Sequence, residues 1–296
     1  MRQFAILLTS LLIVATLALI LITIGVLPFP GNYQEQIQIT PLLASKRHET
    51  TNHEAPIRSE LTVENPRGNV SIRGGDVGEV LIKVRKEVRS SGTRQANLLL
   101  DDMKIKIQTA NQGNKIIVEH PELSAGENIK ADLEIIVPLD TNLDLQLGIG
   151  NVEVKDTRGN LKVHNEIGEI KIANFTGDAH LEADLGNINI VNSRFVKELI
   201  TTLHLGDLTI DGALATRNEI KNHLGDITLL FLENDSYVLE GKIGVGKIEF
   251  SVPFNGQQTE ERFRGVIGSG TQRGTIMLDS KLGSVKIKNL KDRSDN

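Results

Sequence analysis

The chain has 296 residues, no cysteine, and a formal net charge of −5 with a sequence pI near 5.9. Without cysteine the chain has no disulfide, no thiolate nucleophile, no cysteine-based zinc site and no acylated cysteine of the bacterial lipoprotein type. The acidic balance, with no basic block, argues against nucleic acid as a partner.

The first predicted element is an apolar run from Phe4 to Leu27 that carries no charge. As a helix it would extend about 36 Å, enough to cross a bilayer. Signal-peptide cores are shorter and a good cleavage site does not follow, so we expect an uncleaved transmembrane signal anchor at residues 4–27. Arg2 precedes the run and the next basic residue is Lys46. The positive-inside rule therefore predicts residues 1–3 in the cytoplasm and the C-terminal domain in the extracellular or periplasmic space.

Residues 28–56 are polar, contain Pro30 and Pro41, and have no sustained periodicity. They predict a flexible tether, in which His48 and His53 are solvated rather than metal ligands. Residues 57–138 predict an N-terminal cap with the first strands. Its expected elements are two strands joined by a turn between Ile57 and Ile72, a strand at Glu79 to Val88, a helix at Thr93 to Asp101, and alternating strands at Lys104 to Thr109, Lys115 to His120 and Lys130 to Val137.

A short phrase returns through residues 139–290: apolar, Gly, polar, apolar, any, apolar. Its glycines are Gly150, Gly168, Gly186, Gly206, Gly225, Gly246 and Gly283, and the first six are 18 to 21 residues apart. Such spacing indicates a stacked repeat. Positions two and four after each Gly are apolar, as a half-buried strand requires, and the Gly suits a corner because it has no Cβ. We predict an all-β β-solenoid of two-strand rungs. An antiparallel sandwich is the alternative.

Weaker half-phrases follow at Gly159 and Gly177, which predicts two strands per rung facing each other across a thin core. Phe254 to Arg273 interrupts the rhythm and is expected to be a long loop. The charged tail, residues 291–296, discourages end-to-end stacking.

The segments NLLLDDMKIKIQ and LEIIVPLDTNLDLQ, followed by the Gly-Asp-apolar phrases, resemble a bacterial domain-of-unknown-function family labelled as candidate adhesins or β-strand-repeat-containing proteins. The resemblance covers roughly Ile57 to Leu290. It implies a surface or periplasmic β-solenoid and a role in adhesion or envelope regulation, and it brings no catalytic residue.

Two metal sites are conceivable on this pattern. In the position after the Gly, Asp207 and Asp226 on adjacent rungs are the candidate calcium ligands, although Lys247 in the same series favours a solvated turn. Two residues before the Gly, Glu166, Asp184, His204 and His223 form a predicted outward column. His204 and His223 would lie roughly 5 Å apart and are the candidates for a shared divalent metal or a response to mild acid. Polar side chains on a solvent-exposed face of a sheet would give the same column, so we expect no metal and no cofactor.

Catalysis is not indicated. Glu153, Lys171 and Glu249 are spread over different rungs, which disfavours a polysaccharide-acting enzyme, and Gly268 to Gly270 has loop composition. Sugar stacking is disfavoured because the chain has no Trp and only Tyr33 and Tyr237.

The sequence therefore predicts a non-enzyme: a membrane-anchored extracytoplasmic binding or scaffold module, adhesin-like, whose partner is a protein or an envelope polymer. Regulation through envelope stress sensing is the alternative of a different class. It is less favoured because only residues 1–3 would lie inside the cell.

Overall fold

The computed structural model describes residues 45–232 and 234–290. The expected anchor at residues 4–27 and the charged tail lie outside the described residues. Within them, no helix combines the length and apolar character needed to cross a membrane.

The described residues form 22 strands and one helix. The first part of the chain contains β1 (Ser45–Ala55), β2 (Glu60–Arg67), β3 (Val70–Gly75), β4 (Val80–Ser90), α1 (Thr93–Asp102), β5 (Lys104–Thr109), β6 (Gly113–Glu119) and β7 (Asn128–Pro138). The middle contains β8 (Asn142–Ile149), β9 (Val152–Lys155), β10 (Arg158–Ile167), β11 (Ile170–Ala173), β12 (Thr176–Leu185), β13 (Ile188–Leu205), β14 (Leu208–Ala213), β15 (Arg217–Leu224) and β16 (Ile227–Phe231). The last part contains β17 (Asp235–Val245), β18 (Ile248–Phe250), β19 (Phe254–Gln258), β20 (Arg262–Gly268), β21 (Thr271–Leu282) and β22 (Val285–Asn289).

Parallel pairing arranges the strands into two ladders. The first ladder runs β6, β2, β8, β10, β12, the second half of β13, β15, β21 and β17. The second ladder runs β7, β3, β9, β11, the first half of β13, β14, β16, β22 and β18. Each rung contributes one strand to each ladder, as the repeat predicts, and the architecture is an all-β, β-solenoid-like stack.

The stacking order departs from chain order at both ends. The β2–β3 rung pairs directly with β8 and β9, although four strands and the helix separate them in sequence. At the other end, β21 and β22 insert between the β15–β16 rung and the β17–β18 rung. At the first end the chain adds β6 and β7 to one side of the β2–β3 rung and then β8 and β9 to the other side. At the last end it leaves one place empty and returns to fill it with β21 and β22.

Three expectations from the sequence need correction. The tether does not extend to residue 56, because Ser45–Ala55 pairs antiparallel with β4 over its whole length. Residues 57–138 contain the expected first strands, but β2 and β3 form a regular rung of the stack and not part of a cap. Residues 254–273 are not a loop: β19 and β20 form an antiparallel hairpin that pairs with β17, and β21 begins at Thr271. The helix lies where the sequence predicts it, and it buries Ala96 and Leu99.

The interior is filled by Val, Ile and Leu at alternate strand positions. Val152, Val154, Ile188, Ile190 and Leu229 are all fully buried between the ladders. Because a thin core has little room, aromatic side chains are few, and Phe175 and Phe195 pack with ring centroids 6.0 Å apart.

Candidate functional site

A column of glycines forms the corner that joins the first ladder to the second. The seven glycines of the repeat have φ between 131° and 156°, a range that side chains with a Cβ rarely adopt. A Cβ on Gly186 would lie 2.0 Å from the carbonyl oxygen of Gly168, and the other glycines approach the neighbouring rung as closely. Gly68 begins the column, and Gly283 lies between Gly225 and Gly246. Close backbone contact therefore fixes the register along the whole corner.

The polar position after each glycine ties neighbouring rungs together. Asp207 Oδ1 accepts the Asp226 backbone N–H at 2.8 Å, and Asp226 Oδ1 accepts the Ser284 N–H at 2.8 Å. Asn151 and Asn187 make the same bond to Glu169 and Asp207. The two candidate calcium ligands thus lie on adjacent rungs, as the sequence predicts, and one oxygen of each already holds the corner.

The residue before each glycine is apolar and points to solvent. In stack order these residues are Ile149, Ile167, Leu185, Leu205, Leu224, Leu282 and Val245, and each is the direct pairing partner of the next. Val245 is 53% exposed and Leu282 is 46% exposed. We call these seven residues the corner ridge. Sequence reasoning missed the ridge, although the apolar position was part of the recurring phrase.

Histidines gather on the outer face of the first ladder. His164 Nδ1 lies 3.4 Å from Glu182 Oε2, and His204 Nδ1 lies 2.8 Å from Asp184 Oδ1. His204 and His223 occupy adjacent rungs with ring centroids 4.7 Å apart. The outward column predicted from the sequence is therefore present as a row of imidazoles and carboxylates.

Lys281 is the next residue of this column after His223. Because β21 inserts beside β15, Lys281 follows His223, where chain order would have placed Gly244. Burial, followed by the charge of Lys281 and the proximity of His204, lowers the pKa of His223. The described residues contain no group of three or more His, Asp or Glu side chains arranged to hold a metal ion. Metal binding at His204 and His223 stays an untested alternative.

A shallow groove of about 450 Å³ crosses the same face. Its polar lining comes from the outward residues of five neighbouring strands: Glu60, Thr62, Asn142, Asp144, Asn160, Lys162, Asp178, His180 and Glu198. Several of these groups have structural partners. Asp178 Oδ1 accepts the Lys197 N–H, and Asn142 Oδ1 accepts the Asn160 N–H, both at 2.8 Å. Arg217 forms an ion pair with Glu198, and Lys162 Nζ lies 3.9 Å from Asp144 Oδ2. Four carboxylates stand against two cations, Lys162 and the Arg217 that pairs with Glu198, so the electrostatic character of the groove is acidic. We call it the acidic groove.

A second cavity, of about 690 Å³, lies between β13, β14 and the start of β21. At its wall, Arg273 Nε donates to Asp235 Oδ1 at 2.7 Å, and Asp235 is almost fully buried. Burial and the nearby Asp235 raise the pKa of Tyr237 well above its usual range. The Tyr237 hydroxyl donates to the Leu214 carbonyl, and the ring is fully buried. Tyr237 is consequently not accessible for sugar stacking.

The charged residues considered for hydrolysis lie on the outer face of the second ladder. Glu153 pairs directly with Lys171, whereas Glu249 pairs with Lys286 several rungs away. Lys155 and Ser71 bond to Glu153 and lower its pKa. The two glutamates are therefore not brought together into an acid–base pair.

Residues 58–235 match the family described as Toastrack DUF4097. The chain belongs to this family. The match spans the β2–β3 rung, the insertion after it and the rungs in chain order, and it ends at the first residue of β17. No curated protein matches the chain.

Several solved structures are similar to this Toastrack chain. A candidate adhesin from Bacteroides fragilis has 13% identity and a TM-score of 0.41, with 83% of this chain and 98% of that chain covered. A candidate cell adhesion protein from Clostridium sporogenes has 12% identity and a TM-score of 0.37, covering 83% and 100%. A candidate lipid-binding protein from Parabacteroides distasonis has 11% identity and a TM-score of 0.34, covering 82% and 96%.

Proposed function

We propose that this Toastrack protein is a non-catalytic binding or scaffold module at the bacterial cell envelope, and that the acidic groove is where it contacts its partner. The outer face of the first ladder carries this proposal. Its polar side chains project from parallel strands whose register is fixed by the glycine corner, so a partner meets a preorganised surface.

The charge of the groove indicates the chemistry of the partner. Glu60, Asp144, Asp178 and Glu198 supply four carboxylates. The opposing charges are Lys162 and the Arg217 that pairs with Glu198. A protein segment or envelope polymer that carries amino or guanidinium groups complements this surface. A broad face of this kind needs no exposed Trp or Tyr, in contrast to sugar binding by stacking.

The proposal includes membrane attachment through residues 4–27, with the folded part outside the cytoplasm. The support is the uncharged run of those residues and the position of Arg2 before it. Protease protection in intact cells and in inverted vesicles tests this part. Digestion of the folded part only from the outer side supports the orientation, and digestion only from the cytoplasmic side contradicts it.

Binding is tested by capture of envelope components on the full-length protein. We expect Glu60→Lys with Glu198→Lys to reduce capture at least tenfold, because both changes reverse charge in the groove. The matched control is Thr209→Lys with Thr228→Lys, on the outer face of the second ladder. Equal loss in both variants, or turnover of an envelope polysaccharide by the purified protein, would contradict the proposal. A captured membrane signalling protein would assign the module to regulation, and a captured matrix polymer would assign it to adhesion.

A further inference from the structure

The corner ridge is an exposed apolar strip that continues over seven rungs. With rungs about 4.8 Å apart, the strip is about 29 Å long. Ile149, Ile167, Leu185, Leu282 and Val245 are each at least 40% exposed, and Leu205 and Leu224 between them are half-buried. Soluble proteins rarely leave a continuous apolar strip of this size uncovered, and such strips mark contact surfaces.

The residues on both sides of the ridge argue against a lipid surface as its occupant. Glu166 and Asp184 precede ridge residues, and Glu169, Asp207 and Asp226 follow glycines of the same corner. These five carboxylates outnumber the two lysines of the same flanks, Lys247 and Lys281, so the anionic headgroups of a bacterial bilayer would repel this corner.

The column that precedes the ridge is complementary to itself when reversed. In stack order it reads Gly148, Glu166, Asp184, His204, His223, Lys281 and Gly244, as the pairings on either side of each residue require. Its charge changes from acidic to basic around His204. Leu205, the fourth of the seven ridge residues, lies beside this midpoint.

We propose that the corner ridge is the interface of an antiparallel homodimer whose two-fold axis passes near Leu205. Reversal of one copy brings Leu205 against its own copy, Ile149 against Val245 and Ile167 against Leu282. It also sets Glu166 opposite Lys281 and Asp184 opposite His223, each pair occurring twice. This inference goes beyond the proposed function and does not depend on it, because the acidic groove lies at the other end of the first-ladder strands.

A parallel dimer through the same ridge fits the charges less well. In that arrangement the column before the ridge faces the column after it, so Glu166 meets Glu169 of the other copy. The antiparallel arrangement sets Asp207 against its own copy once, but it gains two Glu166–Lys281 pairs that are charged at neutral pH.

The area of the strip predicts a weak dimer. A width of four strand residues is about 13 Å, so the ridge and its two flanks cover roughly 400 Å² per copy. Stable interfaces bury about 800 Å² per partner. Covalent trapping of the full-length protein in its own cells is therefore a better test than sedimentation.

The chain has no cysteine, so single cysteines report the interface without background. Under mild oxidation we expect Leu205→Cys to form a disulfide-linked dimer at least fivefold more than Leu98→Cys, a control on α1 that is 49% exposed and therefore more accessible than the half-buried Leu205. Ile149→Cys alone should not cross-link, whereas Ile149→Cys co-expressed with Val245→Cys should give the mixed dimer. Self-linking of Ile149→Cys at the level of Leu205→Cys would overturn the antiparallel arrangement. If Leu205→Cys forms no more dimer than the control does, the proposal is wrong. Shielding of the ridge by lipid would give this result and would also overturn the proposal.

Charge reversal in the Leu205→Cys background tests the register. Lys281→Glu and Glu166→Lys should each lower cross-linking at least threefold. The double variant should restore it, because the charges are exchanged and the pairs are re-formed. A double variant that remains as low as the single variants would contradict the proposed pairing.

Discussion

At two corners of the stack, neighbouring rungs are joined by different kinds of contact. The glycine corner continues through every rung from Gly68 to Gly246, and backbone atoms of successive rungs touch there. The opposite corner, after the second ladder, has Asp156, Asn174 and Asn192 in the left-handed conformation, with φ of 50° to 55°. There the side chains form the contact: Asn192 Nδ2 donates to Asn174 Oδ1 at 2.7 Å, and Asn174 Nδ2 donates to Asp156 Oδ1 at 2.8 Å.

The two kinds of contact constrain the register of the stack to different degrees. A backbone contact tolerates no side chain at any rung, so the glycine recurs everywhere. A ladder of side-chain amides can end at a rung of different length. The ladder ends at Asn192, where the pairing of β13 with β14 shifts register between Ile190 and Ser193. We therefore expect substitutions at the glycine corner to cost more than substitutions at the asparagine corner.

Gly186→Ala should have the largest effect, about 3–5 kcal/mol of lost unfolding free energy. The new Cβ would lie 2.0 Å from the Gly168 carbonyl oxygen, and φ is 141°. Urea unfolding followed by circular dichroism measures the loss. Gly126→Ala is the control for conformation alone, because its φ is 84° and nothing lies near the new Cβ. Its cost should be about 1–2 kcal/mol, and an equal cost at both positions would show that rung contact does not matter.

Asn222→Leu should cost about 2 kcal/mol. The buried Asn222 amide donates to the carbonyls of Gly206 and Gly225 at 3.1 and 3.0 Å, from the inner side of the glycine corner. Asn165→Leu removes a single such bond, to Gly150, and should cost about half as much. Leucine suits the site in volume, since Leu147 and Leu203 occupy the same column. Urea unfolding measures both losses. Unchanged stability in both variants would show that the buried amides do not stabilise the glycine corner.

Asn174→Ala should cost about 1–2 kcal/mol, because it removes two exposed hydrogen bonds and places alanine at φ 54°. Asn174→Gly keeps the left-handed conformation and removes only the bonds. We expect its cost to be smaller, below about 1 kcal/mol. If the glycine variant is as unstable as the alanine variant, the amide ladder is stronger than the comparison of the two corners implies.

The smallest expected effect concerns pH at the N-terminal end of the glycine corner. Burial, and then the charge of Arg67, lowers the pKa of His120 below its ordinary value of 6.5. The unfolded chain therefore binds a proton at a higher pH than the folded chain does. Stability is full above about pH 6.5 and is lost as pH falls through that value toward the folded pKa. His120→Gln should flatten the pH dependence of the unfolding midpoint between pH 7.5 and 5.5, and an unchanged slope would contradict this assignment.

Much of the rod could be predicted from the sequence because the corner glycines and the alternating Val, Ile and Leu are local signals. The outward column from Glu166 to His223 could be placed for the same reason. The strand Ser45–Ala55 could not be, because ten of its residues are not buried and it pairs through its backbone with β4. The hairpin of β19 and β20 also lacks a regular apolar pattern, with only Phe263 and Ile267 buried.

The stacking order of the last rungs could not be predicted from the sequence for a different reason. The phrases at Gly246 and Gly283 both fit beside Gly225, and nothing local decides between them. Long-range pairing of β21 with β15 decides it and brings Lys281 beside His223. The corner ridge was hidden because a residue at the end of a strand continues the inward alternation, yet its side chain lies beyond the core where the chain turns.

The stacking order of the last rungs is the most direct test of the stack as a whole, because it sets the order of the ridge residues and places Lys281 beside His223. Engineered cysteine pairs on the second ladder measure it. Thr228 pairs with Lys286, and Lys286 pairs with Glu249. We predict that Thr228→Cys with Lys286→Cys forms an intramolecular disulfide, as does Lys286→Cys with Glu249→Cys. Thr228→Cys with Glu249→Cys should not, because two rung spacings separate them by about 9.6 Å. A disulfide between positions 228 and 249, with none between 228 and 286, would show rungs stacked in chain order and contradict the account.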